Sequence, residues 1–159
     1  MRRGVLGFPA LVLVLAVVAT ACGGGGGGGG TSSPSPSESS SEEGGGGTMS
    51  IGSDQANNHG SKDVASASSV DMEADNEEGG QYYFDPTVLK GSPGQKLQIT
   101  IDNEGNTKHN FTIESQKVDE DINPGKEVTV TVTFPQSGSV EFFCEYHHAL
   151  GMAGELSTT

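Results

Sequence analysis

The 159-residue sequence has few cysteines and few basic residues. Its two cysteines, Cys22 and Cys144, lie far apart, so no disulfide is expected within the C-terminal part of the chain. Lysine and arginine number 8 against 21 aspartates and glutamates, which gives a formal net charge of −13. Nucleic-acid binding depends on clustered positive charge, so no nucleic-acid partner is predicted. Helical spacing of apolar residues is also absent over any useful length, which favours an all-β fold.

The first 21 residues have the pattern of a signal peptide. Arg2 and Arg3 precede an apolar run over residues 11–18, and small residues lead up to Cys22. This pattern predicts export. Cys22 after small residues resembles the lipobox of bacterial lipoproteins, which implies lipidation of Cys22 and a lipid anchor on the extracytoplasmic side of the cell membrane. The alternative is ordinary cleavage near Ala21, which would release a secreted protein with a free thiol.

Residues 22–80 are rich in glycine, serine, proline and acidic side chains and have few large apolar ones. Such a composition cannot bury enough surface to offset the entropy of ordering, so we predict a disordered tether. His59 is interpreted as an incidental residue of this tether. The foldable part of the chain is then predicted to be residues 81–159.

Two stretches of residues 81–159 alternate apolar and polar side chains. Leu97, Ile99 and Ile101 form one apolar set, and every second residue from Val128 to Phe134 forms the other. Alternation with period two indicates half-buried strands, and turn signals rich in glycine, proline and asparagine separate them. We predict an antiparallel β-sandwich or barrel.

Potential metal ligands gather on the inward positions of these strands. His109 is in phase with apolar residues of its strand, and Cys144 is in phase with Phe142. A thiolate, two imidazoles and a weak thioether suit an ion that alternates between Cu(I) and Cu(II). The second imidazole would come from the pair His147–His148, and the thioether from Met152. Zinc is the main rival metal, but a thioether is a poor ligand for zinc.

The segment Cys-Glu-Tyr-His-His-Ala-Leu-Gly-Met, together with the upstream His109, resembles the ligand set of the cupredoxin family of small type 1 (blue) copper proteins. The resemblance implies a cupredoxin-like Greek-key β-sandwich that binds one copper ion through His109, Cys144, His147 and Met152. It favours His147 over His148, because family loops have two residues between cysteine and histidine. It also implies that the backbone amide of Asn110 donates to the thiolate.

A single such site predicts a one-electron carrier outside the cytoplasmic membrane, and not an enzyme. Copper enzymes of this kind need further histidine-bound copper, and only His59 and His148 remain. We expect a monomer whose partner is a redox protein with a basic docking face, because residues 81–159 carry a net charge of −6 from eleven acidic and five basic residues. His148 would be a surface residue near the docking patch. The alternative function is copper storage or delivery without electron transfer.

Overall fold

The computed structural model describes residues 46–77 and 80–159. The predicted signal peptide, Cys22 and the first half of the predicted tether lie outside these ranges. The described residues form twelve strands and two short 3₁₀ helices: β1 (Thr48–Ile51), β2 (Asp54–Asn57), β3 (Ser61–Asp63), β4 (Ser69–Asn76), β5 (Tyr82–Asp85), β6 (Val88–Gly91), β7 (Lys96–Asn103), β8 (His109–Ile113), η1 (Glu114–Gln116), β9 (Val118–Ile122), β10 (Lys126–Thr133), β11 (Ser139–Phe143), η2 (His148–Leu150) and β12 (Ala153–Thr158). Neither helix is long or apolar enough to span a bilayer.

The strands form two main sheets and one hairpin. The larger sheet has the order β3-β6-β12-β11-β8-β9, the smaller sheet has the order β10-β7-β4-β5, and β1 pairs with β2. Apolar side chains from both sheets form one buried cluster between them, so the fold is a β-sandwich, as predicted. Pairing among the described strands is mixed and not wholly antiparallel, because β12 and β3 run parallel to β6 and β4 runs parallel to β7.

The strands predicted from alternation are present in the expected phase. Leu97, Ile99 and Ile101 of β7 are fully buried, and β10 lies antiparallel beside them. In β8 all five residues are buried, so His109 begins a strand that is enclosed on both sides. Strand β11 lies between β8 and β12 in the larger sheet. This order places the start of β8, the end of β11 and the start of β12 at one end of the sandwich.

The predicted domain boundary at residue 81 is wrong. Strands β1 to β4 precede it, and β4 lies inside the smaller sheet between β7 and β5. Val70, Met72 and Ala74 of β4 are buried in the common core. The error arose because polar and acidic residues alternate with these three side chains, so the composition of the segment hides a period-two pattern that marks a half-buried strand.

Truncation tests this revised boundary. A chain that begins at residue 46 should fold, whereas one that begins at residue 81 should not unfold cooperatively, because it lacks an interior strand. Within the full chain, Met72→Ala should lower the free energy of unfolding by about 2–5 kcal/mol, and Ser69→Ala, at an exposed position of the same strand, should have little effect. Chemical denaturation followed by circular dichroism measures the stability of the truncated chains and of the two variants. Equal stability of the two truncated chains would contradict the assignment of β4 to the core.

Candidate metal centre

Three predicted ligands converge at the end of the sandwich where β8 begins and β11 ends. His109 opens β8, Cys144 directly follows β11, and His147 lies in the loop that leads to η2. One donor atom from each of these residues lies within 4.8 Å of the others. The Cys144 Sγ is 3.5 Å from the His147 Nδ1. Zinc bonds of about 2.0 Å to nitrogen and about 2.3 Å to sulfur would space such donors about 3.5 Å apart, so this separation suits a shared metal ion.

The imidazole of His109 is the strongest sign that this cluster holds a metal. His109 is fully buried, and neither of its ring nitrogens has a hydrogen-bond partner in the described part of the chain. A buried polar atom without a partner costs about 1–3 kcal/mol. A metal ion bound to one ring nitrogen would replace the missing interaction, so the residues fit the group that the sequence predicts.

Met152 is held beside the cluster by its own backbone. Its amide donates to the carbonyl of His147 at 3.2 Å, and its carbonyl accepts from the amide of Cys144 at 3.0 Å. The amide of His147 in turn donates to the carbonyl of Cys144 at 3.1 Å. Met152 is fully buried and belongs to the core cluster together with Cys144. The loop is therefore a closed, hydrogen-bonded turn that joins three of the four predicted ligands.

The environment of Cys144 acts on its thiol in two directions. Burial raises the pKa of the thiol, whereas backbone N–H groups of Asn110, Tyr146 and His147 favour the thiolate and lower that pKa. The contribution of Asn110 is the one that the sequence resemblance implied. The Asn110 side chain is also buried, and its Oδ1 accepts from the amide of Glu145 at 3.3 Å. Preformed donors of this kind stabilise a thiolate, and a metal ion would complete its stabilisation.

Asn57 is a functional residue that the sequence analysis missed. It ends β2, inside the segment predicted to be a tether. Its Nδ2 donates to the carbonyls of Leu150 at 2.9 Å and Tyr82 at 2.8 Å, and its amide donates to the carbonyl of Gly151 at 2.9 Å. Gly151 has φ of +89°, and a Cβ there would lie 2.9 Å from the Asn57 Nδ2. Asn57 and Gly151 therefore fix the ligand loop, residues 144–152, against the N-terminal hairpin formed by β1 and β2.

Tyr82 is a second residue that the sequence did not reveal. Its ring stacks on the imidazole of His147 with centroids 3.8 Å apart and an interplanar angle of 3°. It also meets the His109 ring edge-on at 6.1 Å. Tyr82 therefore fixes the plane of the His147 ring. His148 faces away from this cluster, since its ring stacks on Phe143 at 4.6 Å.

Residues 61–156 match the family model of the cupredoxin-like domain, and the chain belongs to this family. Family membership and the donor set together indicate one copper ion as the cofactor. No curated protein sequence matches the chain.

Several solved structures have similar folds. The chain is similar to auracyanin from Roseiflexus castenholzii, at 18% identity and a TM-score of 0.48 over 58% of this chain and 98% of that one. It is similar to the blue copper protein auracyanin A from Chloroflexus aurantiacus, at 21% identity and a TM-score of 0.45 over 57% of this chain and 99% of that one. A third similar structure is the metal-binding domain of the Cu(I)-exporting P-type ATPase of Streptococcus pneumoniae. Its sequence identity is 17% and its TM-score is 0.47, over 62% of this chain and 95% of that one.

The buried histidines predict a loss of stability in mild acid for the metal-free protein. Burial and the neighbouring His147 lower the pKa of His109 from 6.5 to about 4, although the Asp75 carboxylate opposes the shift. As the pH falls, the unfolded chain binds a proton at His109 before the folded chain does. Stability that is present above about pH 6.5 is therefore lost down to about pH 4, by at most about 3 kcal/mol.

Urea denaturation of the metal-free protein across this pH range measures the loss. The His109→Gln variant should lose less stability over the same range than the wild-type protein. Equal losses would show that His109 does not account for the acid sensitivity.

Asn57→Ala should loosen the ligand loop. The change leaves the carbonyls of Tyr82 and Leu150 without their donor, so we expect the free energy of unfolding to fall by about 1–3 kcal/mol and the loop amides of Leu150 and Gly151 to exchange faster. Asn76→Ala, at a half-buried position of β4, is the matched control. Unchanged exchange in the loop of the Asn57 variant would show that the contact does not order the loop.

Proposed function

We propose that this protein is a one-electron carrier with a single type 1 copper site. His109, Cys144 and His147 would supply the three strong ligands, and Met152 the weak thioether. The observation that carries this proposal is the convergence of the three donor atoms within 4.8 Å around a buried imidazole that has no other partner. Copper supplies a one-electron Cu(I)/Cu(II) couple when it is bound by such a set.

The protein's own contribution is to hold the ligands in one arrangement. His109 and Cys144 extend from neighbouring strands of the larger sheet, and Tyr82 stacks on the His147 ring. The loop between Cys144 and Met152 is closed by backbone hydrogen bonds. Packed interiors resist small displacements, so the ligand positions would change little between the two oxidation states. Little rearrangement is what fast electron transfer requires.

The ligand loop also exposes apolar surface. Tyr146 and Leu150 are 48% and 55% exposed, and both lie between Cys144 and Met152 in sequence. The Tyr146 hydroxyl donates to the Asp121 carboxylate at 2.6 Å, which fixes its ring at the surface. A small apolar patch suits the brief, low-area contacts of redox partners. We propose Tyr146 and Leu150 as the centre of the docking surface.

The charge of the smaller sheet supports a basic partner. Glu73 lies directly opposite Asp85 on one neighbouring strand and opposite Asp102 on the other. Burial raises the pKa of the Glu73 carboxyl, and four nearby carboxylates, Asp85 first among them, raise it further. Such concentrated negative charge would steer a positively charged partner towards the protein. Docking would be strongest at low ionic strength.

Location and assembly complete the proposal. The signal-peptide pattern of residues 1–21 and the lipobox-like Cys22 support an exported protein that is anchored by lipid outside the cytoplasmic membrane. We propose that it acts there as a monomer and not as an enzyme. Copper storage or delivery is disfavoured because His109, Cys144 and Met152 are all fully buried. Transfer of copper to another protein requires donors that the recipient can reach.

Copper loading of the full chain tests this function. We expect an intense visible band from thiolate-to-copper charge transfer and a reversible one-electron couple in voltammetry, with copper retained against a Cu(I) chelator after reduction. Cys144→Ser should lose the band, whereas Cys22→Ser should keep it. An intense band in the Cys144 variant would disprove the ligand assignment. Release of copper on reduction would favour delivery over electron transfer.

Met152→Leu should keep the intense band but raise the reduction potential. A thioether donates weakly to Cu(II), so its removal destabilises the oxidised form more than the reduced form. Met49→Leu, on strand β1, removes a thioether that is not among the proposed ligands and serves as the control. Voltammetry of the two variants measures the difference. An unchanged potential in the Met152 variant would show that this side chain only fills the core.

A further inference from the structure

A second group of potential metal ligands lies beside the ligand loop. The His148 Nε2 is 3.2 Å from the Glu141 Oε1 and 3.8 Å from the Asp54 Oδ2. One donor atom from each of the three residues lies within 4.8 Å of the other two. The residues come from three separate elements, namely β2, β11 and η2. Their convergence is therefore a product of the tertiary fold and not of sequence proximity.

We propose that Asp54, Glu141 and His148 bind a divalent cation of the zinc class. Two carboxylates and an imidazole are ligands that Zn²⁺, Co²⁺ and Ni²⁺ accept, and their two negative charges balance the charge of such an ion. The group has neither thiolate nor thioether, so it disfavours Cu(I). Its donor set therefore differs from that of the centre formed by Cys144, which includes a thiolate. This inference does not depend on electron transfer by the copper centre.

The distances are close to those of a bound ion. Zinc bonds of about 2.1 Å in a tetrahedral arrangement space their donor atoms about 3.4 Å apart. The 3.2 Å separation of His148 from Glu141 is close to this value, and the Asp54 carboxylate, 3.8 Å from His148, would have to move closer to the ion. The three side chains are between 31% and 43% exposed. This exposure leaves room for a water molecule as a further ligand.

The surroundings of the group favour a cation. The His148 ring is held by stacking on Phe143. Glu141 lies directly opposite Glu155 on β12, so a third carboxylate faces the same side of the sheet. Carboxylates that converge in this way repel one another unless a positive charge lies among them. A simple ion pair between protonated His148 and the carboxylates is the alternative to a bound cation.

A bound cation would connect the N-terminal hairpin to the ligand loop. Asp54 begins β2, the strand that ends at Asn57, and His148 directly follows the predicted copper ligand His147. The ion would therefore reinforce from outside the contact that Asn57 makes from within. Binding to the folded state alone would also raise the unfolding temperature, by an amount that grows with the logarithm of the metal concentration once that concentration exceeds the Kd.

Titration of the metal-free full chain with Co²⁺ tests the site, because the two centres give different spectra. Co²⁺ bound by Cys144 produces an intense thiolate charge-transfer band, whereas Co²⁺ bound by carboxylates and imidazole produces only weak visible bands. We expect two equivalents to bind, one with each signature. Equilibrium dialysis provides an independent count. Asp54→Asn, Glu141→Gln and His148→Lys should each weaken the second equivalent at least tenfold and leave the thiolate band intact.

His148→Lys is the decisive variant, because lysine preserves an ion pair with the carboxylates but does not replace the imidazole ligand. Glu127→Gln, on strand β10 of the other sheet, removes the same charge and should leave both equivalents unchanged. If the wild-type chain binds a single Co²⁺, or if the three variants bind the second as the wild type does, the group is an ion pair only. If Co²⁺ gives the wild-type chain only the weak visible bands and no thiolate band, the result counts against the copper centre and not against this site.

Discussion

The structure depends on the burial of two polar donors at one end of an apolar sandwich. The imidazole of His109 and the thiol of Cys144 are both fully buried, and aromatic side chains of the core lie close behind them. Without a metal, His109 has unsatisfied nitrogens and the thiol has a raised pKa. The fold therefore accepts a local cost that a bound metal ion removes. The backbone hydrogen bonds of the ligand loop hold these donors in place.

Those contacts come largely from the N-terminal part of the domain. Asn57 bonds to the ligand loop at two residues and to the backbone of Tyr82, whose ring stacks on His147. The hairpin of β1 and β2 is thus a brace for the metal centre. If Asp54 binds a cation with Glu141 and His148, the same hairpin is tied to the loop a second time. Rigidity at the site is then a property of the whole domain and not of the loop alone.

Charge and apolar surface are divided between different parts of the molecule. The strands of the smaller sheet carry facing carboxylates, whereas the ligand loop exposes Tyr146 and Leu150. The pKa of His109 responds to Asp75, so the acidic strands act electrostatically on the metal centre as well. A partner would be attracted by the first surface and would contact the second.

The sequence by itself determined the fold class and the ligand types. Alternation in β7 and β10 identified half-buried strands, and the spacing of Cys144, His147 and Met152 identified the chemistry, because both signals are local in the chain. The extent of the domain and the supporting residues were decided only by tertiary structure. The polar face of β4 concealed its buried side chains, and Asn57 lies 93 residues from the Leu150 carbonyl that it binds. The group of Asp54, Glu141 and His148 is likewise assembled from distant segments, so no local pattern could reveal it.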